Sequence, residues 1–478
     1  MASYKHPLGI VASLPEEDVK ELDEGIRGDL VLPDSEDYED TRNVWNGLVN
    51  KYPALVVRAK GASDVANAVG FATDHDLDLA IRGGAHNQAG TALAEGGLVV
   101  DLSEMDSVSV DPDEQVARVE PGTRAEDVLA ETQPHGLAPP TGSAGDVGIP
   151  GSTLGGGIGW MRCKNGLGID ALRSVELVTA EGELVKASPE HNEDLFWAVR
   201  GGGGNFGVVT NFEFDLYEVG PMVQGLGIFY PADAAEDVLE TYREVMVDAP
   251  EELTTILLRG EVPGLPPMPD ELAGTPAVGI LGCYTGNPEE GEEVIEPLRS
   301  VAEPLIDMSD VMPYEMLHDL GTQMYPWGRK YTHRSVFLDE LTDEAHDIIL
   351  EQMDEAPTPM DAIGIWSMGG NIGHGPDAAY AWADKQYMIT IEGNWEETAN
   401  SPNLEWARET EQLLRDLDDA GAEGAYAGFT GVEEQEWEDW SEQVYGDNYD
   451  RLAEVKAEYD PDNVFSLNVN IDPADRGD

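Results

Sequence analysis

Six of the twelve residues from Gly148 to Gly159 are glycine. Glycine at that density weakens any helix or strand interior. The run is therefore expected outside regular structure, either as a flexible loop or laid along a ligand. Its apolar members Ile149, Leu154 and Ile158 favour a buried path, and so the ligand. Two other segments share this character. Ile81 to Asn87 reads Ile-Arg-Gly-Gly-Ala-His-Asn and follows the apolar run Leu77 to Ile81, which reads as a buried strand. Glycines straight after a strand let backbone N–H groups converge on an anion. Arg82 adds a fixed positive charge suited to phosphate, and His86 supplies a reactive imidazole. The same residues also fit a strand ending in a tight turn. The third segment, Arg200 to Gly207, contains the pattern Gly-x-Gly-x-x-Gly. A dinucleotide fingerprint needs strand, glycines and helix in that order. Here a helix-like Asp194–Val199 comes first and a strand from Val208 follows, which excludes a Rossmann site. A helix-to-strand turn or cofactor contact through bare backbone remains. Three such segments point to a long cofactor touched from several sides.

The chain has 478 residues, too many for one ordinary domain. From Trp45 to Val219, helical and strand patterns alternate, with strands expected at Leu98–Leu102, Gln115–Val119, Val175–Thr179 and Val208–Leu216. Ser63 is expected to cap a helix that buries Val65, Ala68, Val69 and Ala72. A second lobe is expected from Met222 to Thr430, with strands at Ala277–Tyr284 and Tyr387–Ile391 and an aromatic and polar cluster of Tyr325, Trp327, Arg329, Tyr331 and His333. Tyr449 to Tyr459 reads as an amphipathic helix stopped by Asp460-Pro-Asp462. The fold class is α+β.

Asp and Glu number 95 against 27 Lys and Arg, a net charge of −68 spread over every segment. Self-repulsion on that scale destabilises a compact state unless salt screens it, a lever associated with halophiles. The chain therefore reads as a protein of a salt-filled cytoplasm whose folding needs salt. Without a basic patch, nucleic-acid binding is not expected. The two cysteines, Cys163 and Cys283, make no disulfide framework and no metal knuckle, and the scattered histidines give no metal site. Neither a leader nor an apolar stretch of membrane-spanning length is apparent, so no membrane association is expected.

The segments Arg82–Asn87, Asp101–Ser103, Gly148–Gly159, Asn165–Asp170, Asp194–Thr210, Tyr445–Leu452, Tyr459–Phe465 and Asn468–Ile471 stand in the order found in one family. Through them the chain resembles the FAD-linked oxidases of the berberine-bridge-enzyme type, within the vanillyl-alcohol-oxidase superfamily. The resemblance implies a two-lobed fold. It places an N-terminal segment at 1–44, a PCMH-type FAD-binding domain at 45–219, and a substrate domain on an antiparallel sheet at 220–430. A C-terminal segment, 431–478, would return to complete the FAD lobe.

Carried over residue by residue, His86 stands where the family bonds histidine to the flavin 8α carbon, in a pyrophosphate loop of Arg82, Gly83, Gly84, Ala85, His86 and Asn87. Gly148, Gly151, Ser152, Gly156, Gly159, Gly207, Val209, Asn468 and Asn470 would also contact FAD. Ala144 stands where bicovalent members carry cysteine, so a single histidyl link is implied. Val147 occupies the position that leaves oxygen a route to the flavin. The family's acid/base position falls on Thr390, which cannot act as a base near neutral pH. Met388, Thr390 and Glu392 share one strand face, and Glu392 reads as a solvated edge carboxylate. Glu392, Tyr445, Tyr325 and Tyr331 are the other candidates for the base, the tyrosines reading mainly as packing residues. The implied activity removes hydride from a C–H beside a hydroxyl or amine of a small molecule and passes the electrons to oxygen. A dehydrogenase with a carrier acceptor and a non-catalytic flavin-binding relative are the alternatives.

Overall fold

The computed structural model describes residues 2–3, 13–266, 268–396, 402–433 and 440–475. Three large sheets carry the architecture. The first has the order Asp29–Val31, Leu55–Arg58, Leu98–Asp101, Leu79–Arg82, and its last three strands are parallel. Leu55, Val56, Val57, Leu98, Val99 and Val100 are fully enclosed, as the continuous apolar runs of a two-sided parallel sheet require. The helix Ala62–Asp74 makes the crossover and buries Val65, Ala68, Val69 and Ala72. Its expected cap, Ser63, lies inside the first turn. Gly61 precedes the helix, and Asp64 serves the local backbone instead, accepting from the N–H groups of Arg27, Gly28 and Lys60.

The second sheet is antiparallel, in the order Leu184–Ala187, Leu172–Val178, Val208–Asp215, Val116–Val119, Val108–Asp111. The helix Glu193–Val199 precedes the third glycine segment and the strand from Val208 follows it, which is the helix-to-strand order read in the sequence. The glycine run Gly148–Gly159 departs from expectation. Ile149–Leu154 forms a short helix, with Pro150 in the first turn, where its missing N–H costs nothing.

The third sheet has eight strands. Its main order is Ile306–Asp307, Met222–Pro231, Pro276–Tyr284, Leu253–Glu261, Ala362–Ser367, Tyr387–Trp395, Lys330–Leu338, and Val311–Pro313 also pairs with Met222–Pro231. All of its pairings are antiparallel. Helices Ala235–Val247, Asp343–Asp354 and Asn403–Arg415 bury one face of it through Val238, Leu239, Ile349, Trp406 and Leu414. The opposite face turns toward the first two sheets through Phe337, Trp366 and Met388.

The chain then returns. Helix Tyr449–Tyr459 packs Leu452 and Val455 against Leu195, Phe206 and Val209 beside the second sheet. Lys456 Nζ donates to the Asn205 carbonyl at 2.8 Å and to the Phe465 carbonyl at 3.1 Å, and pairs with Asp460 at 2.7 Å. Asn205 answers with bonds to Val469 and Ile471. The fold is thus α+β and two-lobed, with an antiparallel sheet for the second lobe and a C-terminal segment that completes the first.

Candidate active site

Where the lobes meet, the three glycine segments line one cavity of about 360 Å³, together with the C-terminal return. Gly83 to Asn87 leave the carboxyl end of a parallel strand, where α/β sheets present their ligand sites. The loop crosses the second glycine run at backbone contact. A Cβ on Gly84 would lie 2.4 Å from the Gly148 nitrogen, so neither position admits a side chain. Ala85 takes φ +56°, a left-handed conformation of the kind that turns successive N–H groups inward as an anion nest. Its carbonyl accepts from the Trp45 N–H.

The cavity wall is shaped for a bulky flat ligand. Gly151 and Gly204 both line it, and a Cβ on either would meet nothing within 4 Å, so open space stands over bare backbone. Ser152, Gly207, Val209 and Asn468 complete this wall, and the buried Oδ1 of Asn468 has no partner among the described residues. Leu79, Ile81, Leu102 and Val208 give it an apolar end. Open glycine backbone, a nest-like loop and an orphaned acceptor fit FAD.

Several expected contacts fall elsewhere. Arg82 turns away from the cavity into a separate polar cleft with Arg58 and Arg124, where its Nε lies 3.7 Å from Asp101. The cause is strand alternation, since Ile81 faces the cavity and its neighbour must face the other way. Gly156 and Gly159 serve packing. Added Cβ atoms would meet the Tyr380 ring at 3.1 Å and the Thr141 carbonyl at 1.7 Å. Asn470 bonds to Asp472.

His86 stands on the cavity in a fixed setting. Trp45 stacks on its ring at 5.0 Å and Trp327 meets it edge-on at 5.5 Å. Its Nε2 lies 2.9 Å from Asp146 Oδ2, although off the line of a well-formed hydrogen bond. Trp45 also stacks on Tyr331 at 3.8 Å and donates to the Tyr325 carbonyl, which ties the loop to the second lobe. Gln88 adds a tie by accepting from the His333 N–H at 2.6 Å. Val147 lines the cavity next to the loop.

Across the cavity lies the strand Tyr387–Trp395. It is an interior strand, bracketed by Ala362–Ser367 and Lys330–Leu338, with Glu392 opposite both Ala362 and His333. Glu392 is therefore only 3% exposed, which corrects its reading as a solvated edge carboxylate. Both oxygens accept: Oε2 from the Tyr325 hydroxyl at 2.6 Å and Oε1 from the Thr390 hydroxyl at 2.8 Å. Thr390 in turn receives the Trp366 indole N–H at 3.3 Å. Each carboxylate oxygen has two acceptor sites, so capacity remains for a substrate proton. Burial and the neighbouring Glu392 charge push the Tyr325 hydroxyl well above the ordinary tyrosine range, so it donates rather than accepts. Tyr331, raised by burial, donates to the Pro326 carbonyl away from the cavity. Tyr445 lines the cavity, but burial raises it too, and its hydroxyl is committed to the Val469 carbonyl at 2.8 Å. Of the candidates for the base, Glu392 alone combines an acceptor group with a place on the cavity wall.

Trp45, Gln88 and Asp146 line the cavity and Asn205 ties the third glycine segment to the C-terminal return, and none of the four is singled out in the sequence. Asp146 lies within the glycine-rich stretch Gly142–Gly148, where an acid among small residues is a usable signal. Among the described residues no group of three or more His, Cys, Asp or Glu could hold a metal ion, and no helix is long and apolar enough to cross a membrane. Cys163 and Cys283 are buried and free.

Comparison with known proteins matches residues 53–188 to a family described as FAD binding domain, and residues 425–472 to one described as berberine and berberine like. An FAD-linked oxidoreductase of Dictyostelium discoideum is 30% identical over 95% of this chain and 97% of its own length. The (R)-6-hydroxynicotine oxidase of Paenarthrobacter nicotinovorans is 30% identical over 94% of this chain and 97% of its own. The crystal structure of 6-hydroxy-D-nicotine oxidase from Arthrobacter nicotinovorans superposes with a TM-score of 0.81 at 28% identity, covering 94% of this chain and 98% of the other.

Proposed function

This chain belongs to the FAD-linked oxidoreductases with a berberine-like C-terminal segment, and from that premise we propose that it oxidises a C–H bond beside a hydroxyl or amine of a compact, ring-bearing molecule, with Glu392 as the base. It is an FAD-dependent oxidoreductase. The carrying observation is Glu392 itself, a buried carboxylate oriented by two hydroxyl donors and facing the same cavity as the glycine wall. Bound FAD supplies the two-electron acceptor. The loop Gly83–Asn87, the run Gly148–Ser152, Gly203, Gly204, Gly207, Val209 and Asn468 would hold it, and His86 would bond to it covalently. Ala144 offers no second attachment.

The protein's part is orientation and proton movement. His333, Trp366, Met388, Tyr426 and Phe429 line the substrate side. These flat and flexible apolar surfaces hold a ring and exclude water. Glu392 takes the hydroxyl or amine proton while Tyr325 and Thr390 steady the carboxylate in line. The family's base position, Thr390, thus acts one pleat away from the base, as its donor. Small Val147 would leave dioxygen a route into the cavity as the final electron acceptor, with hydrogen peroxide as its product.

The test is anaerobic flavin reduction in molar potassium chloride with cyclic amines, benzylic alcohols and sugars, followed by peroxide measurement in air. Ring-bearing amines or alcohols should bleach the flavin. Glu392→Gln should slow that step by about 10²–10⁴-fold while leaving reoxidation near wild type. Undiminished reduction in Glu392→Gln would remove Glu392 as the base. Absence of peroxide during turnover would remove oxygen as the acceptor.

A further inference from the structure

We propose that Asp146 is a positioning residue that makes His86 the flavin's attachment point, and that the second lobe holds Asp146 in place. This rests on the covalent reading of His86 above. Of the two ring nitrogens, Nε2 is buried and lies 2.9 Å from Asp146 Oδ2. The other, Nδ1, takes no hydrogen bond from the described residues, and His86 lines the cavity. A carboxylate charge 2.9 Å from one imidazole nitrogen favours the proton on that nitrogen and so the lone pair on the other. Asp146 thus selects the tautomer in which Nδ1 is the nucleophile.

The Nδ1 lone pair forms a C–N bond to the flavin 8-methyl carbon, which loses one hydrogen. The imidazole gives up its Nε2 proton after the bond forms. The two electrons and two protons released pass to dioxygen as hydrogen peroxide. While the bond forms, positive charge grows on the ring, and the Asp146 carboxylate faces it at Nε2. Burial alone would raise the Asp146 carboxyl, but contact with His86, Trp327 and Thr322 outweighs it and holds the group below the usual carboxylate range.

Asp146 is itself fixed from across the lobe boundary. The Trp327 indole N–H donates to Oδ2 at 2.8 Å, and the Gly145 and Asp146 N–H groups donate to the Thr322 hydroxyl at 3.0 and 3.2 Å. Trp327 and Thr322 both follow the first strands of the eight-stranded sheet in the chain and belong to the second lobe. Attachment should therefore require the two lobes to be assembled.

The experiment mixes flavin-free protein with FAD in air and molar potassium chloride, then follows total bound flavin and the fraction that precipitates with acid-denatured protein. Wild type should become fully covalent, and His86→Ala should bind FAD without any covalent fraction. Asp146→Asn should bind FAD but attach it at least ~10-fold more slowly, and Asp146→Glu should recover part of the rate. A merely structural role would lower total binding or stability without changing the rate per bound flavin. If Asp146→Asn binds no FAD, Trp327→Phe decides, since it keeps an aromatic ring there and removes the N–H donor: slower attachment supports the proposal and wild-type attachment overturns it. Wild-type attachment in Asp146→Asn overturns the proposal and leaves the covalent reading intact. If all the wild-type flavin stays in the acid supernatant, the covalent reading fails and this proposal falls with it.

Discussion

At the scale of single residues, burial decides what a titratable group can do. Glu392 keeps acceptor capacity because hydroxyls, not cations, occupy its oxygens. His318 shows the opposite outcome. It is 1% exposed on the helix Glu315–Met324, beside Thr141 and against Tyr314. Burial pushes its imidazole down to about 4, so it stays neutral in the folded chain where an unfolded histidine would be charged. The unfolded state therefore binds the extra proton as pH falls, and folding loses stability between about pH 6.5 and pH 4. At ~1.4 kcal/mol per unit, the loss attributable to this residue between pH 7.5 and pH 5 is about 2 kcal/mol. Denaturant unfolding in molar potassium chloride checks it: His318→Gln should lose about 2 kcal/mol less than wild type over that interval. Equal losses would mean that the folded protein admits the proton.

At the scale of elements, the sequence and the structure agree where local pattern is enough and part where distant pairing decides. The alternation Met388, Thr390, Glu392 was readable, because a strand puts every second residue on one face. The depth of Glu392 was not, because it depends on strands Ala362–Ser367 and Lys330–Leu338 closing on either side. The glycine segments announce a ligand wall, whereas the charge of Arg82 suggests a phosphate contact and its alternation with Ile81 turns it into the separate cleft. Asp146 gains its meaning from Trp327, 181 residues later, a contact no local pattern carries. The C-terminal helix combines both kinds of information. Its amphipathic face was legible, but the buried pair of Lys456 and Asp460 was not. Lys456 touches the glycine turn through the Asn205 carbonyl and the cavity-lining C-terminal return through the Phe465 carbonyl. Lys456→Ala leaves Asp460 as an unpaired buried charge and should cost about 3–5 kcal/mol. Lys456→Met combined with Asp460→Asn should recover part of that loss, measured by unfolding in high salt. A single variant as stable as wild type would show that water reaches Asp460.

At the scale of the whole molecule, the surface carries almost the whole of the charge imbalance in the composition. Among the described residues six of the 27 cations are buried (Arg162, Arg200, Arg259, Arg334, Lys385 and Lys456), but so are seven of the 95 acids (Asp64, Asp101, Asp146, Asp361, Glu392, Glu411 and Asp460), so enclosure leaves the net surface charge nearly unchanged. An exposed surface of 19,658 Å² shared among 68 net negative charges gives about 290 Å² to each, a mean spacing of about 17 Å. Screening acts over about 3 Å at 1 M salt, about 10 Å at 0.1 M and about 30 Å at 0.01 M. The repulsion is therefore extinguished at molar salt and becomes collective once the screening length passes the spacing, below about 0.1 M. Stability should fall most steeply between about 0.1 M and 0.01 M potassium chloride, and equally in potassium and sodium salts, since screening depends on ionic strength alone. Equilibrium unfolding followed across that series separates the causes. A collapse already complete at about 0.5 M, or one that differs between the two cations, would show that ions bound to surface carboxylates, rather than screening, hold the fold together. Unchanged stability down to about 0.01 M would mean that the enclosed core alone outweighs the repulsion, and that the acidic surface serves solubility instead of folding.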